Sequence, residues 1–178
     1  MVDTARTKTA LAAILADNTA GEISPQDVRD FLETMHPSFG SLHFSTAAET
    51  SIATQSVYVK AAGTTTSVNL HRVTMPADNR LTYTGTPTIH AHIACSLSMT
   101  AAGNNKLIGL GIAKNGTVLT HSIVQRQVGT GADVGSTALH ADVSLATNDY
   151  LELWVSNETD TVNLTIELGY LFFLAMMT

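Results

Sequence analysis

Hydrophobic and polar positions follow two different periods along this chain, and the change falls near residue 50. In the N-terminal part, Val28, Phe31, Leu32 and Met35 stand at i, i+3, i+4 and i+7, which is one stripe of an α-helix. Ser24-Pro25 starts that helix with an N-cap hydroxyl, a proline at the first helical position and Asp27 at the third. His36-Pro37 ends it. An earlier helix carries Leu11, Ile14 and Leu15 on one face, with Thr4 or Asp3 as its cap and Gly21 as its stop. Helices this short are marginal alone in water, so their apolar faces must pack on each other, on the rest of the chain, on copies of the chain or on another protein. Residues 37–50 hold Pro37, Ser38, Gly40, Ser41 and Ser45 and read as a connector. Phe39, Leu42 and Phe44 are too apolar for a free linker, so part of it docks.

From about residue 51 the period is two. Ile89, Ala91, Ile93, Cys95, Leu97 and Met99 alternate with His90, His92, Ala94, Ser96, Ser98 and Thr100, the pattern of a long half-buried strand. Leu107–Ala113 and Val118–Gln127 flank Asn115-Gly116, the strongest short signal for a hairpin, because a type I′ turn needs positive φ at both central residues. Leu139, Ala141, Val143 and Leu145 form a further apolar face. So do Leu151, Leu153 and Val155, and then Val162, Leu164, Ile166 and Leu168, with residues 170–177 closing the chain. Short strands at regular spacing predict an all-β sandwich or barrel.

Composition narrows the function. At 178 residues and 18.8 kDa the chain has room for one domain with a real core. With 9 Lys and Arg against 15 Asp and Glu, it lacks the clustered positive charge that nucleic acid requires. A single Cys excludes an intrachain disulfide and a zinc site built from several cysteines. At 44% hydrophobic and 13% charged, with Thr and Ala abundant, the composition suits a protein that covers part of its surface by assembly. The run Leu11–Ala16 is shorter than the apolar region of a signal peptide. Residues 171–177 fall far short of the roughly 20 residues that span a bilayer, so no membrane is expected as a partner.

Three segments carry a resemblance. The hairpin Gly111–Val118, the stretch Val143–Val155 with its Asn148-Asp149-Tyr150-Leu151-Glu152-Leu153-Trp154 core, and the closing strands Leu164–Met176 together resemble the jelly-roll of the C1q and tumour-necrosis-factor type over residues 52–177. Such domains form compact homotrimers, so the resemblance implies a homotrimer; together with the two short α-helices read above within residues 1–36, the expected chain is mainly β, with an antiparallel jelly-roll sandwich over residues 51–178. Residues Ala16–Phe31 resemble a segment near the start of tailed-phage structural proteins, where it precedes fibre or decoration domains. The sequence has no collagen-like Gly-X-Y run and no long heptad repeat, which favours a short knob over a long fibre.

The candidate chemistry is sparse. His90 and His92 lie two apart on one strand face, and two ligands do not make a metal site, so no metal is assigned. They read as interface-lining histidines. Cys95 lies on an apolar face and reads as a small hydrophobe. Gly129–Gly135 has the wrong spacing for a phosphate loop and reads as a surface loop. Asp142, Asp149, Glu152, Glu158 and Asp160 read as a solvated acidic surface, with a calcium ion in a loop as the alternative, and residues 127–178 hold seven acids and no Lys or Arg. No hydrolase or nucleotide motif is found, so neither enzyme activity nor a cofactor is expected. The resulting expectation is a capsid decoration protein on the outer surface of a virion. Its partners would be itself, as a homotrimer, and the major capsid protein or another virion protein. Leu11, Ile14, Leu15, Val28, Phe31, Leu32, Met35, Phe39 and Phe44 are the candidate anchor. His90, His92, Tyr170, Phe172 and Leu174 are the candidate trimer contacts. The alternative is a short tail-fibre or head-fibre tip that recognises a host surface molecule through residues 129–137 or 156–161.

Overall fold

The computed structural model describes residues 6–14 and 23–177. Helix α1 spans Lys8–Ile14 and α2 spans Pro25–Met35. Asp3, Thr4 and Gly21 lie outside the described residues. Thr7 caps α1, its Oγ1 accepting the Ala10 N–H at 3.1 Å. At α2 the expected cap is a full capping box: Ser24 Oγ accepts the Asp27 N–H at 3.2 Å, and Asp27 Oδ2 accepts the Ser24 N–H at 2.9 Å. The Ser24 hydroxyl also donates to Asp27 Oδ2 at 2.7 Å, and that bond, with the one from the Ser24 N–H, holds the Asp27 carboxyl below its ordinary range.

Helix α2 buries its polar side. Asp30 and Thr34 are buried, and Arg6 reaches both, with its Nε on Asp30 Oδ2 at 2.6 Å and its backbone N–H on Thr34 Oγ1 at 2.9 Å. The apolar stripe faces outward, with Val28 48%, Leu32 56% and Met35 61% exposed. The C-terminal end of α2 is held by Arg72, which bonds the Glu33 carboxylate at 2.8 Å and donates to the Glu33 and His36 carbonyls. A cation at free helix carbonyls is favourable for both hydrogen bonding and the helix dipole.

Thirteen strands follow among the described residues. They are β1 (Ser38–Ala47), β2 (Glu49–Thr50), β3 (Val59–Lys60), β4 (Gly63–His71), β5 (Val73–Thr74), β6 (Leu81–Tyr83) and β7 (Ile89–Ala101). Then come β8 (Lys106–Lys114), β9 (Thr117–Val118), β10 (Val124–Val128), β11 (Gly135–Leu145), β12 (Tyr150–Asn157) and β13 (Leu164–Met177). The first sheet runs β11-β7-β13-β1-β4 and the second β10-β8-β12-β6-β5, with β2, β3 and β9 attached at β13, β12 and β8. Antiparallel partners are nested: β8 with β10, β7 with β11, β6 with β12, β1 with β13. That nesting is a long hairpin rolled about the core, and it makes the fold a jelly-roll sandwich.

The segment read from sequence as a connector is β1, a strand flanked on both sides, by β13 and β4. Leu42 and Phe44 enter the core from it, so the sandwich begins at Ser38. The Asn115-Gly116 turn forms as expected, with φ of 52° and 77°. Its return strand is broken into β9, a 3-10 turn at Thr120–Ser122 and β10. Asn79 (φ 50°) repairs a gap in the second sheet. β12 pairs with β6 at Tyr150–Leu151 and with β3 at Trp154–Val155. Between them the Asn79 side chain accepts the Leu153 N–H at 3.0 Å and donates to the carbonyls of Leu153 at 2.8 Å and Ala61 at 3.0 Å.

The closing strands are one strand, β13, with a register shift between Ile166 and Leu168. A bulge changes which parity faces inward. Leu164 and Ile166 point into the core, and after the shift Leu171, Phe173 and Ala175 do. Leu168, expected on the apolar face with Leu164 and Ile166, is 68% exposed for this reason.

Candidate functional site

The outer face of the first sheet collects the residues with unspent binding capacity. Alternation on β7 turns Ile89, Ala91, Ile93, Cys95, Leu97 and Met99 inward, and leaves His90, His92 and Ser96 exposed. Register fixes their neighbours. Leu174, Phe172 and Tyr170 of β13 lie beside His92, Ala94 and Ser96, and Asp142 and His140 of β11 lie beside His92 and Ala94. The five proposed trimer contacts, His90, His92, Tyr170, Phe172 and Leu174, therefore share one face. Leu168, Tyr170 and Leu174 are 68%, 43% and 41% exposed there, and Phe172 is half-buried. Between β1, β13, β7 and β11 this face carries an open groove of about 500 Å³, whose walls include His43, Ser96, Leu168 and Tyr170. A second groove lies between His90, His92, Asp142 and Leu174. On the second sheet, by contrast, the chain covers the outside of β8: Val118 lies against Gly111, and Tyr58 and Glu158 against Gly109.

Three ionisable groups meet on the bare face. His92 donates from Nδ1 to Asp142 Oδ1 at 2.9 Å, the only sense possible when a carboxylate is the partner. Its Nε2 stands 3.2 Å from His140 Nδ1, with the two rings stacked at 5.3 Å between centroids. His121 Nε2 donates to the Asp142 backbone carbonyl at 3.1 Å. Sequence reasoning paired His92 with His90 along the strand and missed His140. The available signal was His140-Ala141-Asp142, two polar positions on one face of the neighbouring strand. Among the described residues, no three His, Cys, Asp or Glu side chains converge to hold a metal ion.

The anchor candidates divide. Val28, Phe31, Leu32 and Met35 form the exposed α2 stripe. Leu11 is buried within the chain, Leu15 lies outside the described residues, and nothing is described of the Ile14 side chain. Phe44 is a core residue under Gly63 and Gly169 and is not available to a partner. Phe39 is half-buried opposite Leu174 in register, with its ring 5.5 Å from that of His71, so it belongs to the sheet face and not to a helical anchor.

The acids are not uniformly solvated. Glu152 is 1% exposed and is held by Arg80 at 2.8 Å, Lys60 at 3.0 Å and Trp154 Nε1 at 2.9 Å. Burial alone would raise its pKa; the bonds from Trp154, Lys60 and Arg80 outweigh it and leave the carboxyl below its ordinary range. Asp149 pairs with Lys114 at 2.8 Å, and Asp160 with Lys106 at 2.5 Å. Glu152, Asp149 and Asp160 are thus matched by cations from residues 60–114, across strands. Cys95 is buried, and burial pushes its thiol up to about 12, so it is no nucleophile. The loop at 129–134 is surface, tied by the Gly129 N–H to Asp133 Oδ2 at 2.8 Å.

No family model matches the chain, and no curated protein matches it. Solved structures do. One is murine APRIL at pH 5.0, at 10% identity over 78% of this chain and 99% of that chain, with a TM-score of 0.46. Another is vertex protein P5 of PRD1, at 11% identity over 79% and 97%, with a TM-score of 0.46. A third is Eiger TNF from S. frugiperda, at 11% identity over 78% and 93%, with a TM-score of 0.48. The jelly-roll assignment rests on the nested strand pairs, not on these likenesses.

Proposed function

We propose that this chain is a non-enzymatic virion structural protein that assembles as a homotrimer through the outer face of its first sheet. In this reading residues 1–36 are the attachment region and the sandwich is the trimerising knob. The observation that carries the reading is the asymmetry between the two sheets. The first leaves Leu168, Tyr170 and Leu174 in solvent along one strand, next to a groove wide enough for side chains of another copy. Contiguous exposed apolar surface of this kind marks an interaction site. A closed cyclic assembly would bury it without leaving a growing end.

The second exposed apolar surface, the α2 stripe, supports attachment to a different partner. It lies on a helix clamped to the sandwich by Arg72, and not on the sheet face. Threefold repetition of one weak helix contact gives avidity without a large single interface. The resemblance of Ala16–Phe31 to the start of tailed-phage structural proteins supports a virion as the place of attachment, and a capsid decoration role on the outer shell is the specific form proposed. A host-binding tip through residues 156–161 is less well supported, because Ser156 and Asn157 are buried, with Asn157 bonded to Asp160 and Val162; residues 130–134, which are exposed, are the loop such a tip would use.

The test is mass determination in solution together with localisation on particles. The wild-type chain should run at three times 18.8 kDa. Leu168→Asp with Leu174→Asp should give a folded monomer. Labelled protein should decorate threefold positions of the shell by electron microscopy. A wild-type monomer overturns the assembly, and label confined to the tail overturns the decoration role.

A further inference from the structure

We propose that His92 and His140 form the protein half of a site for a divalent transition-metal cation of the Zn²⁺, Ni²⁺ or Cu²⁺ class, with Asp142 as the residue that positions His92. The argument begins with the carboxylate. Asp142 can only accept, so it holds a His92 proton on Nδ1, and in the neutral ring the lone pair is then on Nε2. Metal-binding imidazoles commonly have this arrangement, a carboxylate on one ring nitrogen and the ion on the other.

That bare nitrogen is aimed at a second one. His92 Nε2 and His140 Nδ1 are 3.2 Å apart. Two nitrogens bound to one ion at about 2.0–2.1 Å in tetrahedral geometry stand about 3.3 Å apart. In the metal-free chain His140 donates Nδ1–H to His92. Moving that proton to Nε2 of His140 frees a second lone pair at Nδ1, and small rotations of the two exposed rings would bring both onto one ion at the spacing the strands already set. The strands hold the spacing, because His92 and Asp142 are register partners and His140 is two residues along the same face.

The remaining positions of the ion are open. The His92 side chain is 53% exposed and Asp142 is 82% exposed. No third ligand converges from the described residues, so water or a donor group from outside completes the coordination. The two-histidine site does not depend on the proposed assembly. If another copy covers this face, its own donors can take the open positions. Imidazole favours zinc, copper and nickel over the hard cations magnesium and calcium.

The experiment is calorimetric titration of the full chain with ZnCl₂ and NiCl₂, and with MgCl₂ as the control. Saturable uptake of up to one ion per chain is expected with zinc and nickel, and none with magnesium. His140→Ala should weaken uptake at least tenfold. Asp142→Asn should weaken it about 10- to 100-fold, the usual cost of losing such a carboxylate partner. His90→Ala should leave it unchanged. All three side chains are exposed, and melting curves check that the variants fold. In addition, Ni²⁺ should broaden the imidazole NMR signals of His92 and His140 before those of the other histidines. Absence of saturable uptake, equal uptake in His140→Ala, or loss in His90→Ala would each overturn the site. Only the last would transfer it to the His90-Ala91-His92 strand pair.

Discussion

The amide of Asn79 takes the place of a missing strand rung, and removing it should cost more than any surface change in this protein. In Asn79→Ala the Leu153 N–H and the Ala61 carbonyl lose the partners they have at 3.0 Å each, in a position that is 0% exposed. The Leu153 carbonyl keeps the Ala61 N–H at 3.0 Å. Each buried group left unsatisfied costs about 1–3 kcal/mol, so the two together cost about 4 kcal/mol. The residue also sits at φ 50°, where alanine is less at ease than asparagine. Asn69 isolates that backbone contribution, since it is exposed at the same φ of 50° and should cost only about 1 kcal/mol as Asn69→Ala. For a chain of this size, about 4 kcal/mol corresponds to a melting-temperature drop of roughly 8–16 °C. Urea unfolding at one fixed protein concentration reads the difference directly and holds the effect of association constant between variants. A gap of less than about 1 kcal/mol between Asn79→Ala and Asn69→Ala would refute the reasoning and show that β12 closes on its neighbours without the amide.

Two further outcomes are expected. Glu152 has a folded pKa below its ordinary 4.5, so its stabilising contribution is present above that value and is lost as pH falls through the lowered folded value. Urea midpoints between neutral and acid pH should therefore fall more steeply for wild type than for Glu152→Gln, and parallel slopes would count against the buried ion cluster. Phe31→Asp and Leu32→Asp, at 37% and 56% exposure, should change unfolding free energy by no more than about 0.5 kcal/mol while abolishing attachment to particles. Full incorporation of either variant would remove the α2 stripe from the proposed anchor.

Local signals were legible in the sequence where one residue acts on its own backbone. Ser24-Pro25 with Asp27 gave the capped helix, Asn115-Gly116 gave the turn, and the alternation from Ile89 to Met99 gave β7 with its inward face. Features that depend on partners distant in sequence were not legible. β1 looked like a linker because its serines face neighbouring strands: Ser41 Oγ donates to the Val68 carbonyl at 2.7 Å and is buried. The phase change near Glu167 adds no turn residue and breaks no composition rule, so Leu168 was assigned to the wrong face. Glu152 looked solvated because its cations come from Lys60 and Arg80, more than seventy positions away. The pairing of His92 with His140 required the β7–β11 register, which periodicity does not provide.

The register of β1 against β13 also governs how this protein could be used as a scaffold. Ser38 faces Ala175 across the sheet, so the exit from the helices and the close of the last strand lie at one pole. Cargo spliced after the last strand would emerge beside the helices and crowd whatever surface they grip. The opposite pole holds the turns between β7 and β8, β10 and β11, and β12 and β13. A peptide grafted into residues 129–134 would be carried on that far end, pointing away from the support.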